Sequence, residues 1–493
     1  MQTLSLILWA PAVGSLLAAL IPDNRAHLVR SLAYGVSLLT LVLAWSLPFR
    51  FDTASGDLQF QELHPWNPEL GSFYALGVDG ISLPMVLLST LLSVIALLAS
   101  HSVKTRVKGY HVCLLMLEFG MLGVFMAQDW ALFYVFWEVT LIPLFFLIDQ
   151  WGGARRHTAS LNFVLYTMGG SIFMLIGLLM IYGGSEAHST AMPAMSEAAK
   201  TLPVDKQILI FLGLLIGFGV KMPSFPLHGW LPLAHVEAPS PVSILLSGVL
   251  LKMGAFGLIR SVGMLPEAAL ALQPLLAALA LISLVYGALL AWRQSDLKAM
   301  IAYSSISHMG IVLLGIATLS ETGLLGAALQ MSAHGLIAAA LFLVVGLLYE
   351  RTHSRETADY ASLISRAPRF ALFFTLALLA GLGLPGLAGF PAELHALVAG
   401  FDRFGGWTVF ASLGILIGVA YAIRTIATLL SGPAPTNRRE FSDLRGFELA
   451  AASTLAAGII FLGLLPTPAL KLIGASVAQL SADLTTGGNG GQP

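Results

Sequence analysis

Apolar residues run along this chain in unbroken blocks of about 18 or more, separated by short polar stretches, with neither the period-2 alternation of strands nor a narrow amphipathic stripe. A helix rises 1.5 Å per residue, so blocks of that length cross roughly 30 Å of hydrocarbon. About fourteen can be recognised, centred near Val13, Leu38, Leu91, Leu117, Thr140, Phe173, Leu215, Leu250, Leu281, Met309, Leu336, Leu384, Gly418 and Phe461. The pattern predicts an all-α polytopic membrane protein. The seventh block, Ile208 to His235, and the twelfth, Phe370 to Phe401, are too long for one straight helix. The seventh carries Pro223, Pro226 and Pro232; the twelfth carries Pro385, Gly386, Gly389 and Pro391. Proline removes a helical hydrogen bond, and inside a membrane the freed backbone survives only against protein or water. Two matched interruptions, each with an ionisable residue, point to inverted five-helix repeats. Their expected bounds are 110–262 (helices 4–8) and 271–430 (helices 9–13). Residues 1–109 then hold three helices and the loop Pro48 to Asp79, expected to form an ordered outer cap. Residues 431–493 hold a last helix and a Gly-rich tail, expected to be disordered after Asp483.

Composition sharpens this picture. The chain is 57% hydrophobic and 10% charged, against about 25% charged in soluble domains. A net charge of -1 gives no footprint for nucleic acid. The single cysteine, Cys113, can neither ligate an iron–sulfur cluster nor close an intrachain disulfide. No Lys or Arg precedes the first block, Leu4 to Ile21, which therefore reads as an uncleaved span and not as a signal peptide. With the N-terminus outside, the loops that would face inward carry Arg25, Arg30, Lys104, Arg106, Lys108, Arg155, Arg156, Arg293, Lys298, Arg351, Arg355, Arg366, Arg369, Arg424, Arg438, Arg439 and Arg445. The other side carries only Arg50, Lys200, Lys206, Arg260, Arg403 and Lys471. This bias puts both termini outside the cytoplasm.

The candidate chemistry lies in ionisable residues that the blocks place at membrane depth. Glu138 is near the middle of the fifth block, where a carboxylate costs roughly 2.5–3.5 kcal/mol on insertion scales. Lys221 stands at the break of the seventh, and a Glu138–Lys221 pair would let the lysine switch protonation as its partner approaches or recedes. Lys252 is near the centre of the eighth block, too deep to snorkel, so an internal partner is expected. Glu393 follows the twelfth-block break and reads as the outward terminus of a relay. His308 and His334, in adjacent blocks, titrate in the range a proton relay needs, although a buried histidine can also be a satisfied packing residue. His228 and His235 are candidate inward connectors, and Glu118 and Asp149, near block ends, are weaker ones. No Walker loop, dinucleotide Gly motif or metal-spaced Cys/His set is present, so neither a nucleotide cofactor nor a metal is expected in this chain.

These residues sit in recognisable motifs. Val78-Asp79-Gly80-Ile81-Ser82 and the stretch Phe133 to Pro143 resemble subunit M of respiratory complex I, the NADH-quinone oxidoreductase. Lys221-Met222-Pro223, Pro226-Leu227-His228-Gly229-Trp230-Leu231-Pro232, Glu237-Ala238-Pro239 and Leu250-Leu251-Lys252-Met253-Gly254 resemble the antiporter-like signature of proton-conducting transporters. Asp296-Leu297-Lys298, Ile301-Ala302-Tyr303-Ser304-Ser305 and Ser307-His308-Met309-Gly310 extend the resemblance, which covers about residues 70 to 400. It implies fourteen helices and a proton channel in a multi-subunit oxidoreductase, with NADH, FMN, iron–sulfur clusters and quinone in partner subunits. It further implies that Glu138 tunes Lys221, that Lys252 and His308 form the central polar axis, and that Glu393 reaches the outer side, with His334, His228 and Lys298 secondary. Three positions depart from the pattern. Leu233 replaces an acid, Asp359-Tyr360-Ala361-Ser362 replaces a Gly-Gly, and Leu394 follows Glu393 where a Phe is usual. They leave open an electron donor other than NADH.

A multi-subunit cation/proton antiporter would use nearly the same membrane chemistry, and a non-conducting scaffold would leave the buried charges unexplained. Moving one proton against 100 mV takes roughly 2.3 kcal/mol, which nothing in this chain can release, so the driver must lie outside it.

Overall fold

The structure, a computed structural model, describes residues 2–432 and 442–488. Among these, twelve segments are long and apolar enough to cross a membrane. One of them, Gly389–Leu430, is two helices, Gly389–Phe404 and Val409–Leu430, so it holds two spans. Helix Val204–Lys221 carries Asp205 and Lys206 at its start and Lys221 at its end, charges that keep it outside those twelve, yet it forms the first half of the seventh span. Counted this way, the fourteen expected spans are all present. Arg438 and Arg439, used above to orient the chain, lie outside the described residues.

Both over-long blocks are broken. The seventh span is Val204–Lys221, an irregular turn, then Trp230–Glu237. Its freed backbone is re-satisfied by protein. Ser224 N–H donates to the Gly219 carbonyl at 2.9 Å, the Trp230 indole donates to the Val220 carbonyl at 2.9 Å, and Phe225 N–H donates to Ser283 Oγ at 2.9 Å. The twelfth span is Pro368–Gly381 and Gly389–Phe404, and its turn contains Gly383 and Gly386 at φ +65° and +93°. Those angles lie in the left-handed region that side chains other than glycine's enter only with strain.

The loop expected to cap the outer face is an antiparallel hairpin, Gln59–Asn67 with Ser72–Val78, Glu62 opposite Leu76. Glu62 accepts from Leu4 N–H at 2.8 Å, which ties the start of the first helix to the hairpin. Asp129 does more from the head of the fifth span. It caps Trp130–Val139 by accepting from Ala131 and Leu132 N–H at 2.9 and 3.1 Å, and it also accepts from Phe73 N–H at 3.0 Å and Thr190 Oγ1 at 2.8 Å. One carboxylate thus joins a helix end, the hairpin and the loop before helix Met192–Lys200.

The C-terminal region differs from the expectation. After the last span, Gly446–Leu464, a second helix runs Thr467–Gly488, where a disordered tail was expected from Asp483. Pro468 in its first turn suits a helix start. Ile473 and Val477 are buried, and Ser476 Oγ accepts from Gly80 N–H at 2.9 Å. The segment is too polar to register as a span, and its apolar stripe has a partner only once helices Glu321–Thr352, Leu251–Met264 and Pro266–Ala271 are assembled to receive it. Residues 489–493 of the expected tail lie outside the described residues.

Asp129→Ala is expected to destabilise the fold by about 2–4 kcal/mol, from the lost cap and the orphaned buried donors. The check is the thermal unfolding midpoint of the detergent-solubilised protein, with Asp129→Asn expected to fall between.

Candidate functional site

The site starts from a local irregularity in the eighth span. Helix Ser240–Leu245 passes through a π-helical turn, Leu246–Leu250, into helix Leu251–Met264. A π turn lengthens the hydrogen-bond register by one residue and is common at functional positions. Here the Lys252 ammonium donates to the Ser247 carbonyl, five residues back along the chain. Its Nζ is also hydrogen-bonded with His334 Nδ1 at 2.7 Å, and Lys252 itself is 0% exposed. His334 lies on the eleventh span, Glu321–Thr352, and its ring is 5.2 Å, centroid to centroid, from that of His308 on the tenth span, Leu297–Ala317. His308 Nδ1 is in turn 3.4 Å from Glu393 Oε1, which also lies 3.5 Å from Gln330 Nε2. Four titratable side chains from four spans therefore make one buried run.

The run is close-packed but not dry in shape. A cavity of about 10 Å³ is bordered by Ser304, Ser305, His308 and His334, and another of about 20 Å³ by Ser307, His308 and Glu393; Tyr421 borders both. Polar cavities of that size take about one water each. Gly383 is required at the far end, where a Cβ would run into the Glu393 carboxylate.

Glu138 and Lys221 do not form the expected contact pair. Lys221, 1% exposed, donates to Thr140 Oγ1 at 3.2 Å and sits 5.0 Å from the centroid of a Trp137 ring and 5.9 Å from Phe163. Glu138 interacts with Lys221 only through space, outside ion-pair distance, and one of its carboxylate oxygens is buried without a partner. Thr140 continues the fifth span in helical geometry between Trp130–Val139 and Leu141–Trp151, and its hydroxyl, not the Glu138 carboxylate, reaches the lysine. Tyr134, one turn before Glu138, interacts with both Glu138 and Ser171.

The remaining candidates separate. His228 is half-buried, stacked on Phe225 and edge-on to Tyr286, away from the run. His235, in contrast, is 0% exposed, stacked 4.5 Å from Phe342, and feels the charges of both Lys252 and Lys298. Lys298 is buried and donates to the Ala238 carbonyl at 2.8 Å, at the floor of a cleft on the face opposite the hairpin. Glu118 lies well inside the fourth span, Val107–Met126, and not near its end; it accepts from Ser37 Oγ at 3.2 Å. Asp149 is a span-end residue, bonded to His157 Nδ1 at 2.6 Å. Sequence reasoning missed Thr140, Gln330 and Tyr421, whose common types carry no signal, and ranked His334 as secondary although it is the bridge between Lys252 and His308. Among the described residues, no group of three or more His, Cys, Asp or Glu could hold a metal.

Titratable groups held this closely, in protein and at membrane depth, can exchange protons but cannot bind a large solute. A broken-helix bundle with such a line through its middle is the architecture of a membrane ion-translocating protein. The family model for NADH:quinone oxidoreductase/Mrp antiporter membrane proteins matches residues 127–418, and the chain belongs to that family. It is 40% identical over 492 residues to the NAD(P)H-quinone oxidoreductase chain 4 1 of Synechococcus sp., covering 98% of this chain and 93% of the relative. Among solved structures, a chain of respiratory complex I from Thermus thermophilus matches with a TM-score of 0.88 at 30% identity, over 98% of this chain and all of that one. A chain of the Mrp complex from Dietzia sp. shares the fold, with a TM-score of 0.82 at 20% identity, over 97% of each chain.

Gly383→Ala should strain the turn by about 1–2 kcal/mol and also displace Glu393. Gly386→Ala should bring strain alone, because its Cβ would meet only Leu464. Thermal stability should therefore fall in both variants and membrane-coupled activity in Gly383→Ala only. Vesicle-based proton uptake alongside melting curves checks both.

Proposed function

We propose that this chain is the proton-conducting, antiporter-like membrane subunit of an NAD(P)H:quinone oxidoreductase of the complex I type. The observation that carries the reading is the buried run Lys252–His334–His308–Glu393, continuous from the middle of the bundle to the break of the twelfth span. Relatives at about 40% identity over nearly the full chain, named as chain 4 of such an enzyme, favour it over the antiporter reading, which rests on the shared family model and a fold likeness at 20% identity.

In this reading Lys221 and Lys252 are the two buried bases, both within the first repeat, on the seventh and eighth spans. Lys221 is held by Thr140 and aromatic faces, with Glu138 as a carboxylate whose distance sets how readily the lysine carries charge. Lys252 hands its proton to His334 Nδ1 across their 2.7 Å hydrogen bond. Proton release from the other side of His334 to His308 crosses a gap that a single water bridges, and Glu393 receives the proton beside the glycine turn. Lys298 is a secondary group on the inward side, and His228 a secondary group near the seventh break. NADH or another donor, FMN, iron–sulfur clusters and quinone belong to partner subunits, whose redox chemistry supplies the energy. The natural setting is an energy-transducing membrane, the bacterial inner membrane among them, with both termini on its outer side.

Lys252→Met keeps the side-chain volume while removing the charge. Assembled complexes carrying it are expected to lose coupled proton translocation, as are those with Lys221→Ala or Glu138→Ala. The measurement is the proton-to-electron ratio in sealed vesicles, with assembly verified on native gels. A normal ratio in assembled Lys252→Met complexes would overturn the relay.

A further inference from the structure

A cleft of about 480 Å³ opens on the face opposite the hairpin and is lined by Ser102, Glu237, Lys298, Tyr349, Glu350 and Arg355, among others. A second, of about 690 Å³, lies beside it and shares Glu350 as a wall. The acids around the floor are not equivalent. Glu237 is matched by Arg155, whose Nε lies at 3.4 Å and whose N–H donates at 2.9 Å. Asp296 is matched by Arg355 at 3.0 Å, and Arg351 is matched by Glu448 at 2.6 Å. Among the described residues Glu350 makes no ion pair; its Oε1 accepts from the Ser102 hydroxyl at 2.6 Å.

Lys298, 2% exposed, forms the floor and likewise has no carboxylate within ion-pair distance. It feels the charge of Glu350, and its ammonium reaches the Ala238 carbonyl, one turn beyond His235. His235 then has both ring nitrogens buried and unpartnered, and feels the charges of Lys298 on one hand and Lys252 on the other. An acid and a base that make no ion-pair contact at the bottom of an open cleft, the base also feeling Asp296 and Glu237 and the acid Arg351, followed by an unpartnered imidazole, are an arrangement that packing alone does not require. A structural acid in this position would be expected to pair with the arginines that its neighbours use.

We propose that Glu350 is the proton-collecting residue of this chain, taking protons from cleft water and passing them through Lys298 and His235 to Lys252. The steps are simple transfers. A hydronium proton binds the Glu350 carboxylate and moves to the neutral Lys298 amine. Lys298 releases it to one His235 nitrogen, while the other nitrogen protonates Lys252, and each donor is restored by the next proton from the cleft. The proposal rests on the relay reading above, and it adds where that relay is loaded.

The test compares Glu350→Gln with Lys252→Met in assembled complexes, reading proton uptake and quinone reduction together. Glu350→Gln should slow coupled proton uptake by about 10²-fold, the lower end of what a positioned transfer group contributes. Because the cleft is open, millimolar formic acid should restore much of that rate, an effect that a merely structural glutamate would not show. Ser102→Ala, which removes an exposed hydroxyl and leaves the fold intact, should give a smaller slowing that formic acid also relieves. Should Glu350→Gln and Ser102→Ala both pump normally while Lys252→Met does not, the loading point is elsewhere and the relay stands. Should all three pump normally, the relay fails and this inference with it. A slowing that formic acid leaves untouched would also overturn the collecting role.

Discussion

The desolvation of Lys252 is the constraint on which the rest of the bundle depends. An ammonium taken out of water must find donors' counterparts in protein, and this one has no carboxylate beside it. Its two polar partners exist only because other elements are shaped to offer them. The Ser247 carbonyl is presented by the π-helical turn, and His334 Nδ1 by the long eleventh span. Ser247 Oγ, 3.1 Å from Ser305 Oγ, also ties that turn to the tenth span, which carries His308. The irregular turn, the buried lysine and the histidine pair are therefore one unit, and altering any member leaves a charge or a carbonyl stranded in low dielectric.

The two breaks answer the same constraint differently. At the seventh span, protein donors and acceptors close every gap named above, and Lys221 rests among rings and a hydroxyl. At the twelfth, glycines make the turn, and one of them leaves room for a carboxylate. The first break thus holds an amine among rings and a hydroxyl, and the second holds an acid close to a histidine.

Much of this was legible in the sequence because a membrane makes the cost of charge so uneven. Block length located the spans, the prolines at 223, 226, 385 and 391 located the breaks, and Lys221, Lys252 and Glu393 stood out as charges where charge is expensive. Contacts between spans were not legible. No local pattern says that Thr140 turns to Lys221 in place of Glu138, that His334 stands between Lys252 and His308, or that Glu350 is the acid its neighbours leave unpaired. Those depend on how helices far apart in sequence rotate against one another. The Thr467–Gly488 helix escaped for a related reason, because the helices it packs on, Glu321–Thr352 among them, lie far back in the chain.

The indole of Trp230 lies across the seventh break like a bolt, fastening the second half-helix to the last carbonyls of the first. An elbow secured in that way does not flex as a hinge. Any alternation of access at Lys221 must then come from the swing of its own four-carbon arm, and from wetting around it, with the backbone as a rigid frame.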